Sequence, residues 1–295
     1  MGKIGHIFGR SPAIIECPKG RMVDSTRVGI EIELENTSYI PELVYWEQKG
    51  DGSLRNGTEF VFREPLGGEY VESALAELHY ALRTSGASSG WRTSVHVHVD
   101  VRDLTVEQLK RFIALYMIFE KPLYRFAGLQ RESNIYCMSY HESPVSIARL
   151  ADCFSSLGGM DVWRVAEQSK YSGINVKALN TFGSVEFRMH EGEWQKTKLW
   201  KWVNILLCLR KAAIERDVDV ESIIHSYSRE GVNFMRSVFG VFMRCLEYDK
   251  GMMDKELRSG ARNAEYFLNC KKEYDKEGTR VRSKADSLLA KMGKS

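Results

Sequence analysis

RVGIEIELE (27–35), SVHVHVDV (94–101) and SVEFRMHE (184–191) decide the fold of this 295-residue chain. Each stretch alternates strictly. Val28, Ile30, Ile32 and Leu34 fall on one side of the first, with Gly29, Glu31, Glu33 and Glu35 on the other. Val95, Val97, Val99 and Val101 oppose Ser94, His96, His98 and Asp100, and Val185, Phe187 and Met189 oppose Glu186, Arg188 and His190. A period of two predicts antiparallel strands with one face on a core. TEFVFR (58–63) and YSGINVKAL (171–179) extend the set, Phe60 and Phe62 opposing Glu59 and Val61. Between them EQKGDGSLRNG (47–57) reads as a turn-rich loop, with permissive backbone at Gly50, Gly52 and Gly57.

Two helices punctuate these strands. Val71, Leu75, Leu78 and Leu82 recur at helical spacing, with Gly86 as the expected stop. Thr105-x-x-Gln108 is a capping-box start for a helix carrying Leu109, Phe112, Ile113 and Tyr116, expected to end before Pro122. From about 196 onward, beginning with Leu199, Trp202, Leu206 and Leu209, nearly everything reads as helix. The expected organisation is a segment 1–26, a sheet-bearing core 27–192 with two helices, and a helical part 193–295 packed on or extending from it.

Composition narrows the function classes. The chain carries 42 Lys+Arg against 39 Asp+Glu, net +3, so non-specific attraction to nucleic acid or membrane is a poor expectation. Residues 250–295 hold 12 Lys+Arg and 7 Asp+Glu, a basic excess that reads as a solvated helical face. No apolar run reaches the ~18–20 residues that span a bilayer, and the first residues lack the apolar core of a secretory signal. Cys17, Cys137, Cys153, Cys208, Cys245 and Cys270 are scattered, with no CxxC spacing, as expected of reduced thiols. The reading is a soluble, cytoplasmic protein.

The chemistry sits on the polar strand faces. Glu31 with Glu33, His96 with His98 and Asp100, and Glu186 with Arg188 and His190 each point one way, within ~7 Å along a strand. Oxygen ligands and an imidazole suit Mg²⁺ or Mn²⁺, and a guanidinium grips phosphate as a fork. Taken singly, Glu-x-Glu is usually solvated surface and Glu-Phe-Arg an in-strand ion pair of ~0.2–1 kcal/mol. The conjunction carries the signal. If Glu31, Glu33, Asp51, Glu59 and Glu186 share one cavity, each like-charge pair at ~4 Å costs several kcal/mol at an effective dielectric of ~20, so co-location implies metal. On the same ground, removing Glu31 or Glu186 is expected to abolish turnover and leave the fold intact. His79 and His225 read as ordinary helix residues, Trp194, Trp200 and Trp202 as packing, and Gly50–Gly52 as a turn with no phosphate-loop motif.

In order and spacing these elements resemble the amidoligases, ligases similar in fold to glutamine synthetase and glutamate–cysteine ligase. The matching elements are GIEIE (29–33), DGSL with GTEFV (51–61), SVHVHVD (94–100), Arg131 with ESNIYC, YSGINVKAL (171–179) and GSVEFRMHEG (183–192). They span roughly 27–192. The resemblance implies an α+β fold whose curved antiparallel sheet forms a funnel, packed with helices, with ATP at one end and a carboxylate at the other. It implies phosphoryl transfer to the carboxylate and displacement of phosphate by an amine, with Mg²⁺ (or Mn²⁺) ions on strand residues. Carried over, Glu31, Glu33, Asp51, Glu59, His96 and Glu186 are the metal ligands, an Asp at 51 replacing the common Glu. Arg188 and Arg131 are the catalytic positions, and His98, Arg188, Asn175 and Tyr171 hold the nucleotide or substrate. Lys177, on the face of Asn175, is placed to reach a phosphate. Glu35, Asp100 and His190 are given supporting roles.

Three readings compete with the ligase. A metal-dependent phosphoesterase or nuclease would use the same acids on water, a small-molecule kinase would stop at the phosphorylated product, and a non-catalytic nucleotide-binding protein would do neither. The expected partners are a small-molecule or peptide carboxylate and an amine donor, with no membrane and no nucleic acid beyond a modified nucleotide as substrate.

Overall fold

The computed structural model describes residues 2–10, 18–38, 40–154 and 159–270. Cys17, part of the 1–26 segment and the basic stretch from 271 lie outside them. The chain forms helix α1 (Ile4–Ile7) and strands β1 (Val28–Glu35), β2 (Trp46–Gly50) and β3 (Gly57–Phe62), then α2 (Glu69–Leu82), β4 (Ser94–Asp100) and α3 (Val106–Ala127). There follow α4 (Pro144–Asp152), α5 (Val162–Ala166), β5 (Ile174–Asn175), α6 (Ala178–Phe182) and β6 (Ser184–Glu191). The remaining helices are α7 (Lys196–Glu215), α8 (Val220–Glu230), α9 (Val232–Phe239) and α10 (Lys250–Cys270).

The strands make one open, fully antiparallel sheet of order β2-β3-β1-β4-β6-β5. Their alternation does what the pattern predicts. Val28, Ile30, Ile32, Leu34, Val95, Val97, Val99, Val185 and Phe187 are buried against helices on one face. Burying each such side chain contributes on the order of 1.5–3 kcal/mol. Helix α3 lies on β6, α7 on β4 and on α3, and the Trp46 indole donates to the Ala74 carbonyl of α2 at 2.8 Å. Helix α10 runs along α3, α4 and α8, and among the described residues one continuous apolar core reaches from Ile4 to Cys270. No helix among them is long and apolar enough to cross a membrane, and no disulfide joins their cysteines.

Thr105 caps α3 as the sequence predicts. Its hydroxyl accepts from the Gln108 amide at 3.2 Å, and the Gln108 side chain accepts from the Thr105 amide at 2.9 Å. The helix then passes through Pro122 and ends five residues later, at Ala127. Proline removes the N–H that would have bonded the Ile118 carbonyl. That carbonyl faces α10: a Cβ at Gly260 would lie 2.4 Å from the Ile118 and Met117 oxygens. The missing hydrogen bond is thus placed where two backbones meet.

Other boundaries also differ from expectation. The 47–57 stretch is not all loop. Trp46 is buried against Phe62 of β3, and that anchor draws Trp46–Gly50 into an edge strand, leaving the turn to 51–56. The 171–179 strand shrinks to Ile174–Asn175, because the Asn175 side-chain oxygen accepts from the Lys177 amide at 2.9 Å and bends the chain into α6. Lys177 therefore leaves the strand face. Helix α2 ends at Leu82, ahead of Gly86, where the Ser85 amide and hydroxyl both bond the Leu82 carbonyl. Between β4 and β6 the short helices α4, α5 and α6 add to the two expected ones.

Candidate active site

Antiparallel register assembles the polar residues into one row on the face turned away from the helices. Glu33 stands opposite Glu59, Glu31 opposite His96, His98 opposite Glu186, and Glu186 opposite Asn175. Neighbouring strands are ~4.8 Å apart, so seven side chains from five strands follow one another across the sheet.

Two groups of donors result. Atoms of Glu31, His98 and Glu186 lie within 4.8 Å of one another, and so do atoms of Glu33, Asp51 and Glu59. In the first group, charges are matched. His98 Nε2 lies 3.5 Å from Glu31, and Asn175 donates to Glu186 at 2.6 Å. The Arg188 guanidinium donates to the other Glu186 oxygen. Burial pushes the Glu31 carboxyl up, but hydrogen bonds and charge from His96 and His98 outweigh it and hold the group well below the carboxylate range. Burial likewise opposes ionisation of Glu186, and His96, His98 and Arg188 again win. The second group is carboxylates alone, with His96 opposing only part of their repulsion. Burial raises the Glu59 carboxyl, and the charges of Glu31 and Glu33 raise it further.

His96 sits between the groups and is buried. Its Nδ1 lies 3.2 Å from Glu31 and 3.6 Å from Glu186, while Nε2 faces the Ser94 hydroxyl at 2.9 Å. Ser94 in turn donates to Glu33. The three-donor group includes His98, expected beside the nucleotide, while His96, expected as a metal ligand, keeps one ring nitrogen against Ser94 and the other between Glu31 and Glu186.

A cavity opens on each side of the row, towards opposite ends of the strands. One, of about 320 Å³, is lined by Glu31, Glu59 and His98, by Arg27, Lys49 and Arg63, and by the apolar Phe62, Pro65 and Phe182. The Phe182 ring meets the His98 ring edge-on at 5.2 Å between centroids. The other, of about 270 Å³, is lined by Glu33, Asp51 and Ser94, by Arg92, Arg131, Lys170 and Arg188, and by Trp91, Tyr136 and Tyr171. Arg131 is buried there and donates to the Arg188 carbonyl at 3.2 Å. Tyr171 therefore stands on the Arg131 side of the row, away from His98.

One expected member of the face is turned over. Between Phe187 and His190, β6 carries one residue more than β4 does between Val97 and Val95. This bulge reverses the alternation. His190 therefore points into the core beside Trp202 and Phe126, fully buried, and cannot support the row from its own side. Asp100 chelates Arg102 (2.6 and 2.9 Å), and Glu35 accepts from the Arg55 amide at 2.9 Å. Alternation could not flag Trp91, Arg92 and Lys170, which lie just outside strands; a cation beside an aromatic residue in both Trp-Arg and Lys-Tyr was the available signal.

The chain matches the family model described as "Putative amidoligase enzyme" over residues 63–210. No curated protein matches it. The matched stretch includes His96, His98, Arg131, Asn175, Glu186 and Arg188, whereas Glu31, Glu33, Asp51 and Glu59 precede it. With half of its 295 residues inside that match, this chain belongs to the amidoligase family, whose name denotes ligases.

Proposed function

We propose that the protein is an ATP-dependent carboxylate–amine ligase that forms an amide through an acyl phosphate. The observation that carries this reading is the pair of three-donor groups lying side by side on one sheet face with a cavity on each side of them. In this reading the sheet is the wall of a glutamine-synthetase-like funnel, and the cavities are its two mouths.

The donors suit divalent ions. Four of the six are strand carboxylates and one is a loop carboxylate, a composition matched to hard cations such as Mg²⁺ or Mn²⁺. The upward push on Glu59 from Glu31 and Glu33 is the repulsion that a cation would relieve. Glu31, His98 and Glu186 would hold one ion, and Glu33, Asp51 and Glu59 another, with His96 bracing Glu31. Bound there, such ions neutralise phosphate charge.

The cavity with Phe182 and Pro65 receives ATP, its apolar walls taking the base while Arg27, Lys49 and Arg63 face the phosphates. The Arg131 cavity receives the carboxylate, with Tyr171 in its wall. An oxygen of that carboxylate attacks the γ-phosphorus and ADP leaves. The amine then attacks the acyl carbon and phosphate leaves, carrying away the proton lost from nitrogen. Arg188, paired with Glu186 and facing the carboxylate cavity, stabilises the charge on the transferred group. Dependence on ATP accords with a cytoplasmic enzyme.

The test supplies ATP, Mg²⁺ and pools of carboxylic acids and amines, and follows ADP, phosphate and the mass of the amide. ADP and phosphate release that needs both pools, and is lost in a folded Glu186→Gln variant, is expected. Release indifferent to both pools would overturn the ligase in favour of a hydrolase, and ADP with a stable phosphorylated acid would favour a kinase.

A further inference from the structure

The cavity on the carboxylate side holds more positive charge than one reacting carboxylate needs. Four cations line it, Arg92, Arg131, Lys170 and Arg188, against the acids Glu33 and Asp51. Arg188 is paired with Glu186. In the ligase reading, on which this inference rests, Glu33 and Asp51 are committed to an ion and the reacting carboxylate meets Arg131 and Arg188. Arg92 and Lys170 are left over.

These two cations are built alike. The Arg92 guanidinium lies over the Trp91 ring, 4.6 Å from its centroid, and the Lys170 ammonium lies 5.3 Å from that of Tyr171. No carboxylate among the described residues forms an ion pair with either. Both are held in place by their surroundings. Arg92 donates to the Ser53 carbonyl at 3.1 Å, on the turn that carries Asp51, and its buried Nε has no partner. Tyr171 packs edge-on against Tyr136 at 5.8 Å, and Asn134 bridges Tyr136 to the Trp91 carbonyl. A cation resting on an aromatic face keeps its outer N–H groups for a ligand.

We propose that Arg92 and Lys170 form a second anion site at the mouth of this cavity, so that the substrate is a carboxylic acid bearing a second anionic group. A substrate with an ammonium group at that point would meet two cations and no spare acid. A simple monocarboxylic acid would leave the pair without a counter-charge.

Glutarate and its monoamide glutaramate differ by one charge and little in shape, which makes them the probes. Their binding is measured by calorimetry with Mg²⁺ and without nucleotide, on the wild type and on R92Q/K170Q. Both positions are away from the core, and native circular dichroism verifies the fold. Glutarate is expected to bind the wild type roughly tenfold or more tightly than glutaramate, because a charge-assisted hydrogen bond is worth about that much. The double variant is expected to bind both about equally, with glutaramate little changed. Equal binding by the wild type, saturation by neither acid, or an undiminished preference in the double variant would overturn the second site. The ligase reading fails separately: it falls if no acid elicits ADP release from ATP, whatever the charge preference.

Discussion

Glu31 and His96 face each other across the β1–β4 ladder, with 3.2 Å between the carboxyl and Nδ1 of the ring. On the next strand pair Glu33 faces Glu59, and there two carboxyls meet with no imidazole between them. The row is therefore divided. Its His-bearing half is internally compensated, whereas in the other half Glu59 is pushed up by burial and by the charges of Glu31 and Glu33. Removing Glu31 would therefore also remove its contacts with His96 and His98.

Opposite signs follow for the two halves. Without divalent ions, Glu59→Gln is expected to raise the melting temperature by ~1–3 °C, and Glu31→Gln to lower stability by about 1–2 kcal/mol. With Mg²⁺ in excess the Glu59 variant should fall below the wild type, because a ligand that binds only the native state stabilises it by mass action. Scanning calorimetry with and without Mg²⁺ decides; the same sign for both variants without ions would contradict the division.

His190 sets a pH dependence. Burial holds its imidazole down to about 4 from an ordinary 6.5, while Glu191 opposes the shift and Lys198 and Arg131 add to it. The unfolded chain takes up this proton below pH 6.5 and the folded one only near 4. Stability is therefore lost as pH falls through that window, by up to ~3 kcal/mol. His190→Phe, set among Trp202 and Phe126, should flatten the loss between pH 6.5 and 4. Urea unfolding across that range measures it.

Glu120 anchors the loop that carries Arg131 and Tyr136. Its buried carboxyl accepts from the hydroxyls of Tyr116 (2.7 Å) and Ser139 (2.9 Å) and from the amides of Tyr140 (2.8 Å) and His141 (2.9 Å). Glu120→Gln turns an NH₂ toward two of those donors and is expected to cost about 2–4 kcal/mol. Limited proteolysis should then cut first within 129–143. A stability change within 0.5 kcal/mol would show that the loop is held by other contacts.

Gly260→Ala tests the α3–α10 seam. Alanine improves helix propensity by about 1 kcal/mol, yet its methyl would stand 2.4 Å from two backbone carbonyls of α3. Net destabilisation of about 1–3 kcal/mol is expected in denaturant titration. A gain in stability would mean that the helices part without cost.

Period-two alternation made β1, β3, β4 and the first half of β6 readable, and with them Glu31, Glu33, Glu59, His98 and Glu186. What it could not supply depends on contacts distant in sequence. Trp46 leads its neighbours into a strand by packing on Phe62, and the Ile118 carbonyl that Pro122 leaves without its helical donor lies against Gly260. The bulge that buries His190 is a matter of register against β4, which local composition does not carry. Arg92 and Lys170 escaped because a loop has no period.

The seam between α3 and α10 also bears on how the molecule is made. Residues 117–118 and 260 are synthesised some 140 positions apart, so a nascent chain leaves the ribosome with the long central helix still bare along one flank. Chaperone engagement should peak in that interval and end once the closing helix emerges, and a transcript cut short before codon 250 should yield an insoluble product although every residue of the acidic row has been translated.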